Sequence, residues 1–471
     1  MRVGKKRGIE RNFLGVAGFV YSAWNFGLTV CVGIEITMGM QIMPRTSSFA
    51  VALALATSAC AAADWPQFRG PNGAGISADT NVPVTWSETE NLRWKVELPG
   101  PGSSSPIVLG DRIFVTCYSG YGVPKANGGD IKSLQRHLVC VEREGGKIQW
   151  TATVPGELPE DGYQGYIAEH GYASNTPVTD GERVYCFFGK SGVVAFDLDG
   201  KKIWQAGVGK ESSNRRWGSA ASLILHNNSV IVNASEESQS LRALDRKTGA
   251  EKWNAPGAAL ELAYGTPALV TLKDSSRELV VAVPGEVWGM NPDTGKIRWF
   301  AEHSLTGNIC PSIVADGETV FIFGGFRSSG SLALRAGGSK DVTTSHVQWT
   351  GRNSSYVATP VLHEGHLYWI NDQGQAFCID AKSGELVYRE RVGEVEGGGR
   401  PVYASPVVAN GKIYVPSRWH GVLVLPAKPK YEVLAQNRFA SDDSDFNATP
   451  AISNGDLFLR SNRFLYCVAK K

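Results

Sequence analysis

One pattern of apolar and polar positions recurs along the chain. From Ser105 it reads Ser-Pro-Ile-Val-Leu-Gly-Asp-Arg-Ile-Phe-Val: a hydroxyl and a proline, three apolar residues, a Gly-Asp turn, then apolar positions again. Two short apolar runs joined by a glycine-bearing turn predict a β-hairpin. The arrangement returns at Pro177, Pro267, Pro311, Pro360, Pro406 and Pro450, and an eighth copy starts at Ser222 with Leu223 in the proline position. Each copy continues with an apolar strand, a glycine turn and an aromatic four residues later, as in Gly146 to Trp150, Gly200 to Trp204, Gly249 to Trp253, Gly295 to Trp299 and Gly384 to Tyr388. The units ending at Trp349 and near Tyr431 lack that spacing.

Two hairpins per copy make four short strands, and a period of about 45 residues is that of a propeller blade. The expected fold is therefore all-β: an eight-bladed β-propeller of four-stranded blades. The turn glycine admits positive φ, and the large aromatic behind it is expected to wedge between adjacent blades. Asn91 to Leu98 resembles a fourth strand lacking its first three, whereas the last copy stops after a third strand, Phe464 to Val468. Pairing the two would close the ring and remove open sheet edges. The propeller then spans 92–471, preceded by a lead-in segment over 64–91.

Cysteine usage fits packing better than chemistry. Cys140, Cys378 and Cys467 fall at one third-strand position where other copies carry Ala195, Ala243 and Gly289, so that slot calls for a small buried residue. No CxxC or Cys/His metal spacing occurs. Cys117 with Cys140 is the pairing blade one offers to an oxidising compartment.

Composition agrees with a turn-rich β protein: 54 glycines, 13 tryptophans, 42% hydrophobic and 20% charged residues. Lys plus Arg number 47 against 45 Asp plus Glu, which gives no electrostatic reason to expect nucleic acid. The segment 43–63 has a basic start, an apolar run and small residues at Ala61 and Ala63, the form of a secretory signal. Upstream, 1–42 contains an apolar stretch, Phe13 to Ile34, long enough to cross a bilayer. Either Met43 is the true start or that stretch anchors the protein. Cys60 offers a lipid-attachment site, although Thr57 stands where such motifs carry Leu. Export to the periplasm or cell envelope is expected, with membrane attachment only through the anchor or Cys60, and a monomer.

The run Ala243-Leu-Asp-Arg-Lys-Thr-Gly-Ala-Glu-Lys-Trp253 resembles the repeat of the pyrroloquinoline quinone (PQQ) family of eight-bladed propellers, and the likeness covers residues 92–471. Asp64-Trp-Pro-Gln-Phe-Arg-Gly-Pro71 is similar to the lead-in of exported bacterial members. The resemblance implies one of two activities. Dehydrogenases of the family hold the quinone beside Ca²⁺ in the central channel, with a carboxylate base and usually an adjacent Cys-Cys disulfide. BamB-like members are non-catalytic envelope scaffolds. No Cys-Cys pair occurs here, and no Glu, Asn and Asp set can be placed for Ca²⁺. The expectation is accordingly a binding or protein-interaction scaffold without cofactor. A PQQ- and Ca²⁺-dependent alcohol or sugar dehydrogenase and a carbohydrate-binding or lyase propeller remain as alternatives.

Strand alternation places the loops between second and third strands on the same rim as those joining one blade to the next. Both long insertions, 118–136 and 155–175, lie there, with Tyr118, Tyr121, Tyr163, Tyr166 and Tyr172 among glycines and with Glu160, Asp161, Glu169 and His170. The same face carries Arg216, Trp217, Glu236, Arg327, Asp372, Arg418, Trp419, His420 and Arg463, a set able to meet an envelope protein or a small polar ligand. Aligned copies also put Ser105, Thr176, Ser222, Thr266, Thr359, Ser405 and Thr449, with Cys310 as the eighth member, around the channel mouth. These hydroxyls either meet a polar ligand or satisfy backbone groups at strand starts.

Overall fold

The computed structural model describes residues 64–123, 128–395 and 399–470. The leader read over 1–63, with its apolar stretch and Cys60, lies outside them. The described chain forms eight four-stranded antiparallel sheets in order of sequence: 107–155, 178–206, 224–256, 268–302, 314–351, 361–391, 407–437, and 451–468 completed by Leu92–Glu97. In the eighth blade Leu92–Glu97 pairs antiparallel with Phe464–Val468, Trp94 facing Cys467, so the ring closes as the end fragments predict. Second and third strands are buried along their length, as in Ser229–Ala234, because each blade is covered by a neighbour on both faces. Fourth strands alternate, as in Ile148–Pro155, where the outer edge meets water.

The small-residue slot and the aromatic explain one another. Cys140 faces Trp150, Ala195 Trp204, Ala243 Trp253, Gly289 Trp299, Cys378 Tyr388 and Cys467 Trp94 across the third and fourth strands. A Cβ on Gly289 would stand 1.9 Å from the Trp299 ring, which shows how little room the slot leaves. Trp94, Trp150, Trp204, Trp253 and Trp349 then reach the next blade, each donating its Nε1 hydrogen to a turn carbonyl at 2.7–3.1 Å. Each ring lies on the turn glycine of that blade, where a Cβ would approach within 2.5–2.7 Å. Trp349 does so on Gly384 although its own unit lacks the glycine spacing. Trp299 differs because blade five has no such turn: its Nε1 and the Gly337 N–H both donate to buried Glu278 Oε2, at 2.7 and 3.0 Å.

Gly249 combines φ +74 with a Trp204 ring 2.6 Å from its virtual Cβ, so a side chain there meets both strain and overlap. Gly249→Ala is expected to lower stability by about 1–3 kcal/mol. A urea midpoint equal to that of the parent would contradict the wedge.

Described cysteines are free, including Cys117 and Cys140. The disulfide considered for that pair is absent because Cys117 faces His137 while Cys140 faces Phe114, three rungs apart on neighbouring strands.

The lead-in segment is a cork. Trp65 bridges to Val108 of blade one, Thr179 of blade two donates its N–H to the Pro66 carbonyl, and Ile76–Ser77 adds a parallel strand to the first strand of blade seven. Between these points the chain turns back at Arg69, whose Nη1 and Nη2 donate to the Thr359 and Pro360 carbonyls of blade six at 3.0 and 2.8 Å. Arg69 is buried, and desolvation lowers its pKa to about 9, so it stays protonated at neutral pH. Gly70 is required next to it: at φ +68 its virtual Cβ lies 2.6 Å from the Trp65 ring. Trp-Pro-Gln-Phe-Arg-Gly thus encodes a tight reversal that blocks one end of the channel with Phe68 and Arg69.

Candidate functional site

The ring of hydroxyls is a belt. Seven successive members donate their backbone N–H to the side-chain oxygen of the next blade's member, at 2.9–3.1 Å: Ser105 to Thr176, and on through Ser222, Thr266, Ser312, Thr359 and Ser405 to Thr449. The eighth member is Ser312, with Ile313 in the proline slot. Cys310, expected there, sits two residues earlier because blade five carries its proline out of register. The hydroxyls tie the innermost strands together by satisfying backbone groups, the second of the two roles expected of them.

Above the belt lies a cavity of about 180 Å³, with Phe68 of the cork among its lining residues. A second ring lines it, two residues before each belt member: Ser103, Ser174, Ala220, Tyr264, Cys310, Val357, Tyr403 and Asn447. Burial pushes the Cys310 thiol up to about 12, so it remains protonated and unreactive at neutral pH. Tyr264, Tyr403 and Asn447 escaped the sequence reading, although the repeat carries their signal, a fixed offset from the belt hydroxyl.

Rim residues complete the cavity. Trp217 stands between Tyr166 and Tyr264, ring centroids 4.3 and 5.7 Å away. Of the five insertion tyrosines, Tyr118, Tyr121, Tyr163 and Tyr172 pack on one another, Tyr172 within 5.4–6.2 Å of the other three, and fix the insertions to the rim. Tyr166 alone of the five lines the cavity, its hydroxyl 3.4 Å from that of Tyr356 and accepting from Arg400. His170 is pinned: Nε2 meets the Trp217 carbonyl at 2.8 Å, so it bears the proton, and Nδ1 meets Ser174 Oγ at 2.5 Å. Burial lowers its pKa and both nitrogens are engaged, which makes it a strut for the insertion.

Arg418 is buried between Glu169 Oε2 and Asp445 Oδ2, both at 2.8 Å. Its Nε and the Asn447 Oδ1 are buried without hydrogen-bond partners, one donor and one acceptor beside the cavity. Trp419 is exposed and donates to Asp445 at 2.8 Å. The His420 N–H donates to Ser417 Oγ, and burial lowers the pKa of its ring. Arg463 makes long ion pairs, 3.9 Å to Glu97 and 3.8 Å to Asp443, and lies 4.9 Å over the Phe464 ring, and Arg216 is an exposed loop residue at φ 53. These last four do not line the cavity.

Glu236 lies deeper, accepting from the Tyr264 hydroxyl at 2.7 Å and the Ser213 N–H at 3.2 Å, and burial raises its pKa. Beside it are Glu237 and the pairs Arg136 with Glu160 and Lys190 with Asp161, around a void of about 30 Å³. Arg327 and Asp372 belong to a separate crevice between blades five and six.

Calcium takes six to eight oxygen ligands, carboxylates chief among them. Among the described residues the cavity wall offers one carboxylate, Glu169, already bound to Arg418, one amide oxygen without a partner, Asn447 Oδ1, and belt oxygens of which seven already accept backbone hydrogens. Among the same residues, no group of three or more His, Cys, Asp or Glu could hold a metal ion. This donor set does not fit a calcium–quinone pair.

A closed ring of eight four-stranded blades, with a tryptophan of one blade seated on the turn glycine of the next, defines the PQQ-repeat class of β-propeller. The chain belongs to the PQQ-repeat family described as outer membrane protein assembly factor BamB, whose profile matches residues 122–261, 214–390 and 329–428. It is 22% identical over 467 residues to a polyvinylalcohol dehydrogenase from a Pseudomonas species, covering 74% of this chain and 73% of that protein. Two solved structures share the fold. BamB from Moraxella catarrhalis superposes with TM-score 0.54 at 13% identity, over 80% of this chain and 98% of its own. A europium-containing methanol dehydrogenase superposes with TM-score 0.58 at 12% identity, over 84% of this chain and 89% of its own.

Proposed function

We propose that this protein is an exported, non-catalytic binding propeller of the cell envelope, which takes a partner or small polar ligand on its loop-bearing face. The observation that carries this reading is the composition of the channel mouth. Aromatic rings and an unpartnered amide oxygen, Asn447 Oδ1, line a cavity stopped by Phe68, while the groups that general-base chemistry would need are committed elsewhere: His170 to two hydrogen bonds and Glu169 to Arg418. Family membership supports a scaffold, and the basic, apolar and small-residue run over 43–63 supports export.

The test is capture of envelope extract on the purified chain beside a Trp217→Ala variant. A partner retained by the parent and lost by the variant supports the reading. No differential capture, together with quinone-dependent oxidation of an alcohol, overturns it. The likeness to polyvinylalcohol dehydrogenase favours a second reading, a PQQ-dependent dehydrogenase of alcohols or sugars. An absorbance titration with PQQ and Ca²⁺ tests that one, and saturable binding would replace the scaffold with the enzyme.

A further inference from the structure

A second concavity on the rim belongs to neither the cavity nor the belt. It is a crevice of about 310 Å³ between blades five and six, lined by the guanidinium groups of Arg327, Arg352, Arg389 and Arg400 and by one carboxylate, Asp372. Asp372 is engaged by Arg400, Nε to Oδ2 at 3.6 Å. Arg389 is oriented in advance, donating to Gln375 Oε1 at 3.0 Å and lying 5.5 Å over the Phe377 ring. Arg327 and Arg352 are exposed and have no hydrogen-bond or ion-pair partner among the described residues. Four like charges gathered in one crevice repel, and a single carboxylate offsets only one of them. An arrangement of this kind is completed by an anion carrying more than one acid group, because planar guanidinium groups bind carboxylate and sulfate oxygens in pairs.

The remaining lining narrows the ligand class. Phe326 is 47% exposed at the crevice, a flat apolar face next to the arginines. The side-chain amides of Asn353 and Gln373 also line it, and an amide both donates and accepts, as neighbouring hydroxyls on a sugar ring require. Tyr356 lines both this crevice and the central cavity, so the two form adjoining subsites.

We propose that the crevice between blades five and six binds an acidic saccharide, its carboxylate or sulfate groups held by Arg327, Arg352 and Arg389 and a sugar face laid against Phe326. The proposal rests on the reading of this rim as a binding face, yet it concerns residues outside the central cavity.

The test is calorimetric titration of the full chain with four probes: tetragalacturonate, a chondroitin sulfate tetrasaccharide, neutral maltotetraose and tetraglutamate. An Arg327→Ala/Arg352→Ala double variant is titrated alongside; both residues are exposed, so the fold should persist, and an unchanged thermal transition checks that. The expected result is saturable, salt-sensitive binding of at least one acidic saccharide, weakened at least tenfold in the double variant, with neither maltotetraose nor tetraglutamate bound comparably. Galacturonate and chondroitin sulfate tell carboxylate from sulfate recognition. Absence of binding by both acidic saccharides, equal affinity in the double variant, or equal affinity for maltotetraose or tetraglutamate would overturn the proposal. Failure here alongside Trp217-dependent partner capture leaves the binding scaffold standing and removes only the saccharide.

Discussion

Asp456→Ala is expected to lower stability by about 3–5 kcal/mol, the cost of leaving a buried guanidinium without its counter-charge. Asp456 opens the second strand of blade eight, and both of its oxygens are used. Arg93, on the N-terminal strand that completes the blade, reaches them at 3.0 and 2.9 Å. Arg143, from the turn of blade one, donates its Nε to Oδ2 at 3.0 Å and holds Ser453 Oγ at 3.0 Å. The Arg143 and Asp456 side chains are only 8% and 5% exposed, so water cannot replace the lost carboxylate. One residue therefore joins the first strand of the ring, its last blade and its first blade. Asp456→Asn keeps an acceptor and should cost less. Asp199→Ala, which removes a partner of Arg112 that is 87% exposed, should change stability by less than about 1 kcal/mol. Urea midpoints of the three variants read the order, and an Asp456→Ala midpoint equal to that of Asp199→Ala would refute the seam. Loss at this point should also promote aggregation, since opening the ring exposes strand edges.

The closure itself was legible in the sequence, because a fourth-strand pattern at Trp94 and a missing one after Cys467 are complementary defects in a strict repeat. The cysteine slot was legible for the same reason: alignment compares eight environments, and a position holding Cys, Ala or Gly must be small. Where the repeat is imperfect, alignment misled. Pro311 marked a strand start in blade five, but the chain there runs two residues further before the belt, and hydrogen bonding selects Ser312 over Cys310. Only long-range contacts reveal the cork, since nothing local in Trp-Pro-Gln-Phe-Arg-Gly says that Arg69 will meet carbonyls at Thr359 and Pro360. Nor could spacing separate Tyr166 from the four tyrosines that pack the insertions, because all five share the same glycine-rich context.

The deeper charge cluster holds buried carboxylates close together, an electrostatic strain. Replacing Glu237 tests that strain as a pH effect. Glu237 is 2% exposed, its Oε2 has no hydrogen-bond partner, and Glu236 and Glu160 are close enough to add repulsion. Burial first, then these carboxylates, raise its pKa to about 7, against the help of Ser219. Arg136 and Lys190 line the same void but are paired with Glu160 and Asp161. In the unfolded chain a glutamate titrates near its ordinary value of about 4.3. Between these values the folded state holds the proton and the unfolded state does not, so stability falls as pH rises from about 4.5 to 7 and stays low above that. The gap corresponds to roughly 4 kcal/mol at 1.36 kcal/mol per pKa unit. Glu237→Gln removes the titration: the variant should exceed the parent by up to about 4 kcal/mol at pH 8 and converge with it near pH 4.5. Denaturation midpoints across that range decide the matter, and a difference between the proteins that is flat with pH, or largest at the acid end, would show that Glu237 is not held as a buried acid.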